Sequence, residues 1–396
     1  MSLRDDAYNL RTIFDQMELD LVNSMKRTLK RHEADEKKEG FKWEQWQSAK
    51  LRNLRQYRKE NQKIVADYSK DIEKAVTKSI NGKYKEGQNV FEKLIKSITS
   101  AITRKKPFHA SEEKKDTDTP FEKQVEKKEE DFFHMNDKKI KALEYTVNND
   151  LKDAQTAALR KMDDVYRQTI YKASVYVASG AKTLESAIDM ATKEFLKAGI
   201  NCVEYSDGKR VNIASYAEMA LRTASHRAFL LGEGKKRAEM GIYTVFVSAH
   251  ANTCEKCEPW QSKVLIDDVF SGLVKAKAED LEKETGYPLL SKAIEAGLLH
   301  PNCRHSISTY FPGITILPTV PDDGEAIKRY AAEQKQRSLE RTIREWRRIA
   351  AGSLEPDKIK TATEKVSKYQ GLLNTHLSEH PYLRRDRTRE QTKGIK

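Results

Sequence analysis

The sequence predicts a mainly α protein with a central α+β domain: long N-terminal helices, a small β-containing module held by a cysteine and histidine cluster, and a helical basic C-terminal tail. Three observations point there. Apolar residues make up only 38% of the 396 and charged residues 34%, with a mean hydropathy of −0.77. That balance suits long solvated helices with a thin apolar seam better than a thick sheet-centred core. Toward the N-terminus apolar residues recur at spacings of three and four, whereas β-branched and aromatic runs gather between about residues 200 and 313.

In chain order, Leu3, Ala7, Leu10, Phe14, Met17 and Leu21 mark a helix with one narrow apolar stripe. Trp43, Trp46, Leu51, Leu54, Tyr57, Ile64, Tyr68, Ile72, Val76 and Ile80 mark a second, uninterrupted by proline. The two read as a helical hairpin or part of a larger helical assembly, residues 1–103. Residues 104–138 read as a charged linker or mobile insertion, because two prolines and almost no aliphatic side chains leave little apolar surface to offset the entropy of ordering. Helical spacing resumes near Lys139 and runs through Leu143, Val147, Leu151, Ala154, Ala158, Met162, Val165 and Tyr166. Thr183 can cap a further helix that Gly199 ends.

Strand texture follows. Asp207-Gly208 sits between β-rich flanks in "CVEYSDGKRVNI", a hairpin signal. After a helix through "SYAEMALRTASHRAFLLGEGKKRAEMG", the run "IYTVFVS" at 242–248 predicts a buried strand, with "VLID" at 264 and "SISTYF" at 306 as partners. Residues 139–313 therefore form the expected α+β domain, and 314–396 return to charged helix.

No apolar run approaches the ~20 residues needed to cross a bilayer, and "MSLRDDAYNL" lacks the apolar core of a signal peptide, so synthesis and retention in the cytoplasm is expected. The formal charge is +13. Residues 325–396 hold 18 basic against 10 acidic residues, a net +8. Arg341, Arg344 and Arg348 fall along one helical face with Arg347 close by, and Arg384, Arg385, Arg387 and Arg389 follow. Such spacing suits phosphates of double-stranded DNA contacted without sequence preference, or an acidic protein groove. A solvated face kept soluble by mixed charge is the plainer use. Few aromatics are interleaved, which argues against base stacking.

Three of the four cysteines lie in two short pieces about forty residues apart, "SAHANTCEKCEPWQSKV" and "GLLHPNCRHSISTYF". Cys254 and Cys257 have the C-x-x-C spacing that lets one tight turn present two thiolates to a single ion. His250, His300, Cys303 and His305 make six candidates for a tetrahedral zinc that needs four. The expected set is Cys254, Cys257, Cys303 and His305, with His250 or His300 as substitutes or outer donors. Joining the two turns would make the metal structural, a clamp on a small β module. A redox C-x-x-C fits less well, since Pro259 and another strand follow rather than a helix, and a chance packing pair beside surface histidines is a further alternative. A zinc deaminase is disfavoured because Ala251 and Asn252 follow His250 where H-x-E is required. A metal-dependent nuclease centred on His300 and Asn302 remains the enzymatic alternative, although no adjacent His-Asp pair occurs in the chain. Cys202, beside the hairpin, reads as a buried small hydrophobe.

The order "RTASHRA", "VFVSAHANTCEKCEPWQSKV", "GLLHPNCRHSISTYFPG" resembles the phage minor capsid protein 2 family, related to the Mu F-like minor head proteins, over roughly residues 200–313. Where the family pattern often has glycine after Trp-Gln, this chain has Ser262. The resemblance implies a non-enzymatic head component present in few copies near the portal vertex of the virion. Its implied partners are the portal protein, other head proteins and packaged DNA, and its implied role is head assembly or genome packaging and delivery.

Overall fold

A computed structural model describes residues 3–39, 43–103, 120–178, 184–205, 208–251, 253–300, 303–320 and 323–390. The helices are α1 (Leu3–Glu39), α2 (Trp43–Thr103), α3 (Pro120–Ala178), α4 (Leu184–Ala198), α5 (Ile213–Glu239), α6 (Lys275–Thr285), α7 (Leu290–Glu295), α8 (Asp323–Gly352) and α9 (Pro356–Glu379). The strands are β1 (Asn201–Glu204), β2 (Arg210–Asn212), β3 (Thr244–Val247), β4 (Val264–Ile266) and β5 (Ile307–Thr309). The chain is thus mainly α, with long N-terminal helices and every anticipated strand present. The proposed cap Thr183, turn residue Asp207 and the first part of the linker, residues 104–119, lie outside the described residues.

One expectation is corrected at Pro120, where α3 begins inside the supposed linker. Proline fits the first turn of a helix, where its missing N–H would have no partner. The Glu and Lys residues that follow are good helix formers with favourable four-residue spacing. Scarcity of apolar side chains argued against a packed core there, not against helix.

The chain divides into two compact units, each assembled from three stretches of sequence. The first comprises Asp5–Ala75, Asn148–Ala220 and Ala331–Lys396. Here the α1 stripe is the core: Ala7, Leu10, Phe14, Met17 and Leu21 are each at most 1% exposed. Tyr57 of α2 and Tyr166 of α3 stack with ring centroids 4.7 Å apart. Helix α4 ends at Gly199, whose φ of 72° suits a residue without Cβ. The last carbonyls of α4 are satisfied by Arg348, from Nε to Leu196 O (3.2 Å) and from Nη2 to Lys197 O (2.8 Å). Buried Glu18 accepts from Ile200 N at 2.6 Å and Asn212 Nδ2 at 2.9 Å, tying α1 to the antiparallel β1–β2 hairpin. Cys202 is half-buried rather than buried; its thiol points to Ala154 O at 3.6 Å, and burial pushes its pKa up to about 12, so it is an inert thiol.

The second unit comprises Met1–Arg4, Val76–Val147 and Leu221–Tyr330. Its α2 and α5 segments meet backbone to backbone through glycine. A Cβ on Gly87 would run into the Phe229 carbonyl oxygen, and one on Gly232 into that of Tyr84. Nearby, Ser79 and Ser225 share a hydroxyl hydrogen bond of 2.8 Å. The sheet has the order β4-β3-β5, all antiparallel, in the register Val245↔Leu265 and Phe246↔Ser308. Val245, Val247, Leu265, Ile266 and Ile307 are buried. Fully buried Arg237, at the end of α5, pairs with equally buried Asp267 at 2.7 Å, and Asp267 Oδ1 also accepts from Phe270 N at 2.8 Å. Helices α6 and α7 were not anticipated; α6 stops at Gly286, φ 71°. Among the described residues, no helix is long and apolar enough to cross a membrane.

Candidate metal centre

Strand β3 ends where β5 begins, and the two are antiparallel, so the segments leaving β3 and entering β5 lie side by side. Ser248 N donates to Ser306 O (2.9 Å) and Ser306 N to Ser248 Oγ (3.0 Å). This register, rather than any local sequence feature, is what brings the two cysteine-bearing pieces together. Each piece then forms the same kind of turn. Cys257 N donates to Cys254 O at 3.0 Å, and Cys303 N to His300 O at 2.8 Å. C-x-x-C and H-x-x-C are thus closed by the same end-to-end backbone bond, each with donor side chains at both ends.

Cys257 and Cys303 stand with sulfurs 3.5 Å apart, Cys254 Sγ lies 3.2 Å from His300 Nε2, and Cys303 Sγ lies 3.6 Å from His305 Nδ1. Cys254, Cys257 and His300 form one group of converging donors, and Cys257, Cys303 and His305 another, with Cys257 in both. Around a tetrahedral zinc, bonds of 2.0–2.3 Å set donors about 3.3–3.8 Å from one another. The observed spacings fit a zinc-sized ion, and sulfur with imidazole is a donor set that zinc prefers.

Cys303 accepts a hydrogen bond from Cys257, which with His305 draws its pKa down to about 4 against the effect of burial; Cys257, as donor, is shifted up. Burial opposes ionisation of Cys254, but the hydrogen bonds from His300 and the Cys257 backbone outweigh it, and its pKa is lowered. A thiolate is the form a metal takes.

His250 does not join either group. Its Nε2 faces Ser248 Oγ (3.0 Å) and Arg304 O (3.1 Å), its backbone N–H donates to Gln261 Oε1 (2.7 Å), and burial lowers its pKa. It braces the junction of the two segments. His305 is braced too, its Nε2 lying 3.3 Å from Thr253 Oγ1 and 3.4 Å from Gln261 Oε1. The sequence reading passed over His226 of α5, although it quoted the motif containing it. Its Nε2 is shut off from solvent, burial lowers its pKa, and the Cys303 thiolate and a hydrogen bond to the His305 backbone act in the opposite direction. Its position in "RTASHRA" was the available signal. Of the nuclease pair, His300 faces Cys254 and Asn302 lies outside the described residues.

Ser262, which follows Trp260 and Gln261, adopts φ 60°. The left-handed turn is kept with a side chain in place, held by Ser262 N to Val247 O (3.0 Å) and by its hydroxyl to the Pro318 carbonyl.

The arginines divide. Arg341, Arg384 and Arg387 are exposed and Arg347 is half-buried. Arg344 and Arg348, offered by the sequence as phosphate contacts, are 7% and 9% exposed. Arg348 caps α4, and Arg344 donates to the Arg389 carbonyl, with burial drawing its pKa down to about 10. Arg385 makes a two-pronged pair with Glu390 at 2.6 and 2.7 Å, and Arg389 reaches Glu340 at 4.0 Å. Helical spacing placed Arg341, Arg344 and Arg348 on one face, and two of the three turn inward.

The sequence profile of the family described as "Phage minor capsid protein 2" matches residues 2–378. The chain belongs to this family. The match reaches far beyond the residues that carried the resemblance, taking in the helices on either side. A curated relative named "Structural protein" from Lactococcus phage LL-H is 26% identical over 263 residues, 64% of this chain and 68% of the relative. Another of the same name, from Lactococcus phage mv4, is 32% identical over 104 residues, 25% of this chain and 85% of the relative. No solved structure matches. Membership in phage minor capsid protein 2 makes the chain a structural protein of a bacteriophage particle, with other virion components as its partners.

Proposed function

We propose that the protein is a non-enzymatic head component that sits at the portal vertex, where it supports head assembly and genome packaging or ejection, and that its β3–β5 module is locked by one structural zinc. The observation that carries this reading is the approach, within a family of phage structural proteins, of five sulfur and imidazole donors in two overlapping trios that share Cys257. Four protein donors fill zinc's coordination sphere and leave no open position for a substrate, as in structural rather than catalytic sites.

The zinc set is Cys254, Cys257, His300 and Cys303. The matched turns and the 3.2 Å approach of His300 to Cys254 favour His300 as the fourth donor, with His305 an outer brace on the Cys303 sulfur. Loss of such an outer partner weakens metal binding by about 10–100-fold. Elemental analysis of the full chain should find about one zinc at this cluster. That zinc is lost in Cys254→Ser, Cys303→Ser and His300→Ala and is only weakened in His305→Ala. Zinc content unaffected by either cysteine change would end the clamp reading, and loss with His305→Ala but not His300→Ala would exchange the two histidines.

Exposed Arg341, Arg384 and Arg387 are the surface through which DNA or an acidic groove of a head protein would be met. Heads assembled with and without portal protein test the location. The chain should enter only those that contain portal, and equal incorporation in both would remove the portal from the account.

A further inference from the structure

His376, Glu379 and His380 occupy the last turn of α9 and its C-cap, in a His-x-x-Glu-His run whose spacings of three and four set all three side chains along one strip of the helix. One ligand atom from each lies within 4.8 Å of the others. The state of His376 distinguishes this trio from an ordinary exposed cluster. Its side chain is only 3% exposed, and its Nε2 lies 2.8 Å from the Ala332 carbonyl oxygen. A carbonyl can only accept, so Nε2 carries the proton and Nδ1 presents a lone pair. That Nδ1 is closed to solvent and has no hydrogen-bond partner among the described residues.

A buried acceptor without a donor calls for an explanation. One ring nitrogen donating to a backbone carbonyl while the other offers its lone pair is the arrangement metal-bound histidines adopt. The His380 ring stands edge-on to His376 with centroids 4.6 Å apart, and its Nδ1 is engaged at 3.1 Å by the Tyr382 hydroxyl, which leaves Nε2 as its ligand atom. Glu379 is exposed and adds negative charge beside the partial negative end of α9, where a cation is favoured.

We propose that His376 Nδ1, the Glu379 carboxylate and His380 Nε2 bind one divalent first-row transition-metal ion, with water completing its coordination. Metal–ligand bonds of 2.0–2.2 Å place donors about 3.3–3.6 Å apart. The exposed Glu379 side chain can rotate toward the two rings. This site contains no sulfur and shares no residue with the β3–β5 cluster, so each can fail without the other.

Titration of the full-length chain with Co²⁺ tests it. The wild type should bind one equivalent whose visible absorption lacks sulfur-to-cobalt charge transfer, and Cys303→Ser should retain that equivalent. His380→Ala and Glu379→Gln, both at surface positions that leave His376 packed, should lose it, and Tyr382→Phe should weaken it by about 10–100-fold as an outer-sphere change. Unchanged Co²⁺ stoichiometry and spectrum in both His380→Ala and Glu379→Gln would overturn the proposal.

Discussion

Glycine to alanine at residues 82 and 87, five positions apart in α2, should move stability in opposite directions. In a helix interior the exchange gains about 0.8–1 kcal/mol from propensity alone. At Gly82 an added Cβ meets nothing within 4 Å, so that gain should appear undiminished. At Gly87 the new methyl is driven into the Phe229 carbonyl oxygen with Glu233 N 3.1 Å away, and a backbone obstacle cannot rotate aside. Overpacking costs ~1–3 kcal/mol, and the upper part of that range applies where two helix backbones must separate. The net expectation for Gly87→Ala is a loss of roughly 1–2 kcal/mol, against a gain of about 1 kcal/mol for Gly82→Ala. Urea unfolding followed by circular dichroism reads both as midpoint shifts, upward for residue 82 and downward for residue 87. Stabilisation by both substitutions would show that α2 and α5 do not touch at Gly87, and the reciprocal contact at Gly232 would go with it.

Other substitutions probe the remaining features. Ser262→Gly should be close to neutral, because relief of the left-handed backbone, ~1–2 kcal/mol, is offset by the lost hydroxyl bond and by glycine's extra chain entropy. Ser262→Val should destabilise by about 2 kcal/mol, since a β-branched residue tolerates positive φ poorly; a higher melting temperature for the valine form would contradict the turn. Arg348→Ala should cost roughly 2–3 kcal/mol by stranding the carbonyls that end α4. Arg341→Ala should stay within about 0.5 kcal/mol in the same unfolding assay. If DNA is bound, Arg341→Ala should also flatten the salt dependence of binding by about one unit of slope, which filter binding at several salt concentrations would show. Glu233, desolvated beside Arg237 and Asp267, has its pKa raised to about 7. The folded state then holds a proton that the unfolded chain releases near its ordinary value, so this residue makes stability fall as pH rises from about 4.5 to 7. Glu233→Gln should remove that slope, and an unchanged pH profile of the melting temperature would show that the carboxylate is not buried as described.

Much of this architecture was legible because it rests on local patterns. The α1 stripe, the β-branched runs at 244–247, 264–266 and 307–309, and Gly199 as a helix stop all express short-range preferences, and each appears where its pattern lies. The cysteine and histidine cluster was legible as a set, but its membership was not. His250 shares the neighbourhood and the residue type, and the sequence held no sign of its hydrogen bonds to Ser248 and Arg304. The direction of the α8 arginines was equally hidden, since period fixes which residues share a face and not which way the face points. Helix α6 carries little apolar surface, and Gly286 was its one clear boundary signal. The backbone contact at Gly87 and Gly232 joins residues far apart in sequence, and glycine by itself reports permissiveness rather than proximity.

The interleaving of the two units bears on how the chain is made. Residues 5–75 leave the ribosome before residues 331–396, which close the unit they belong to and bring Arg348 to the last carbonyls of α4. Until that late segment is translated, the apolar seam of α1 has only part of its final covering, and contacts so distant in sequence form slowly. Shortened chains ending before residue 331 should therefore be held by chaperones or clump together, rather than survive as a smaller working piece.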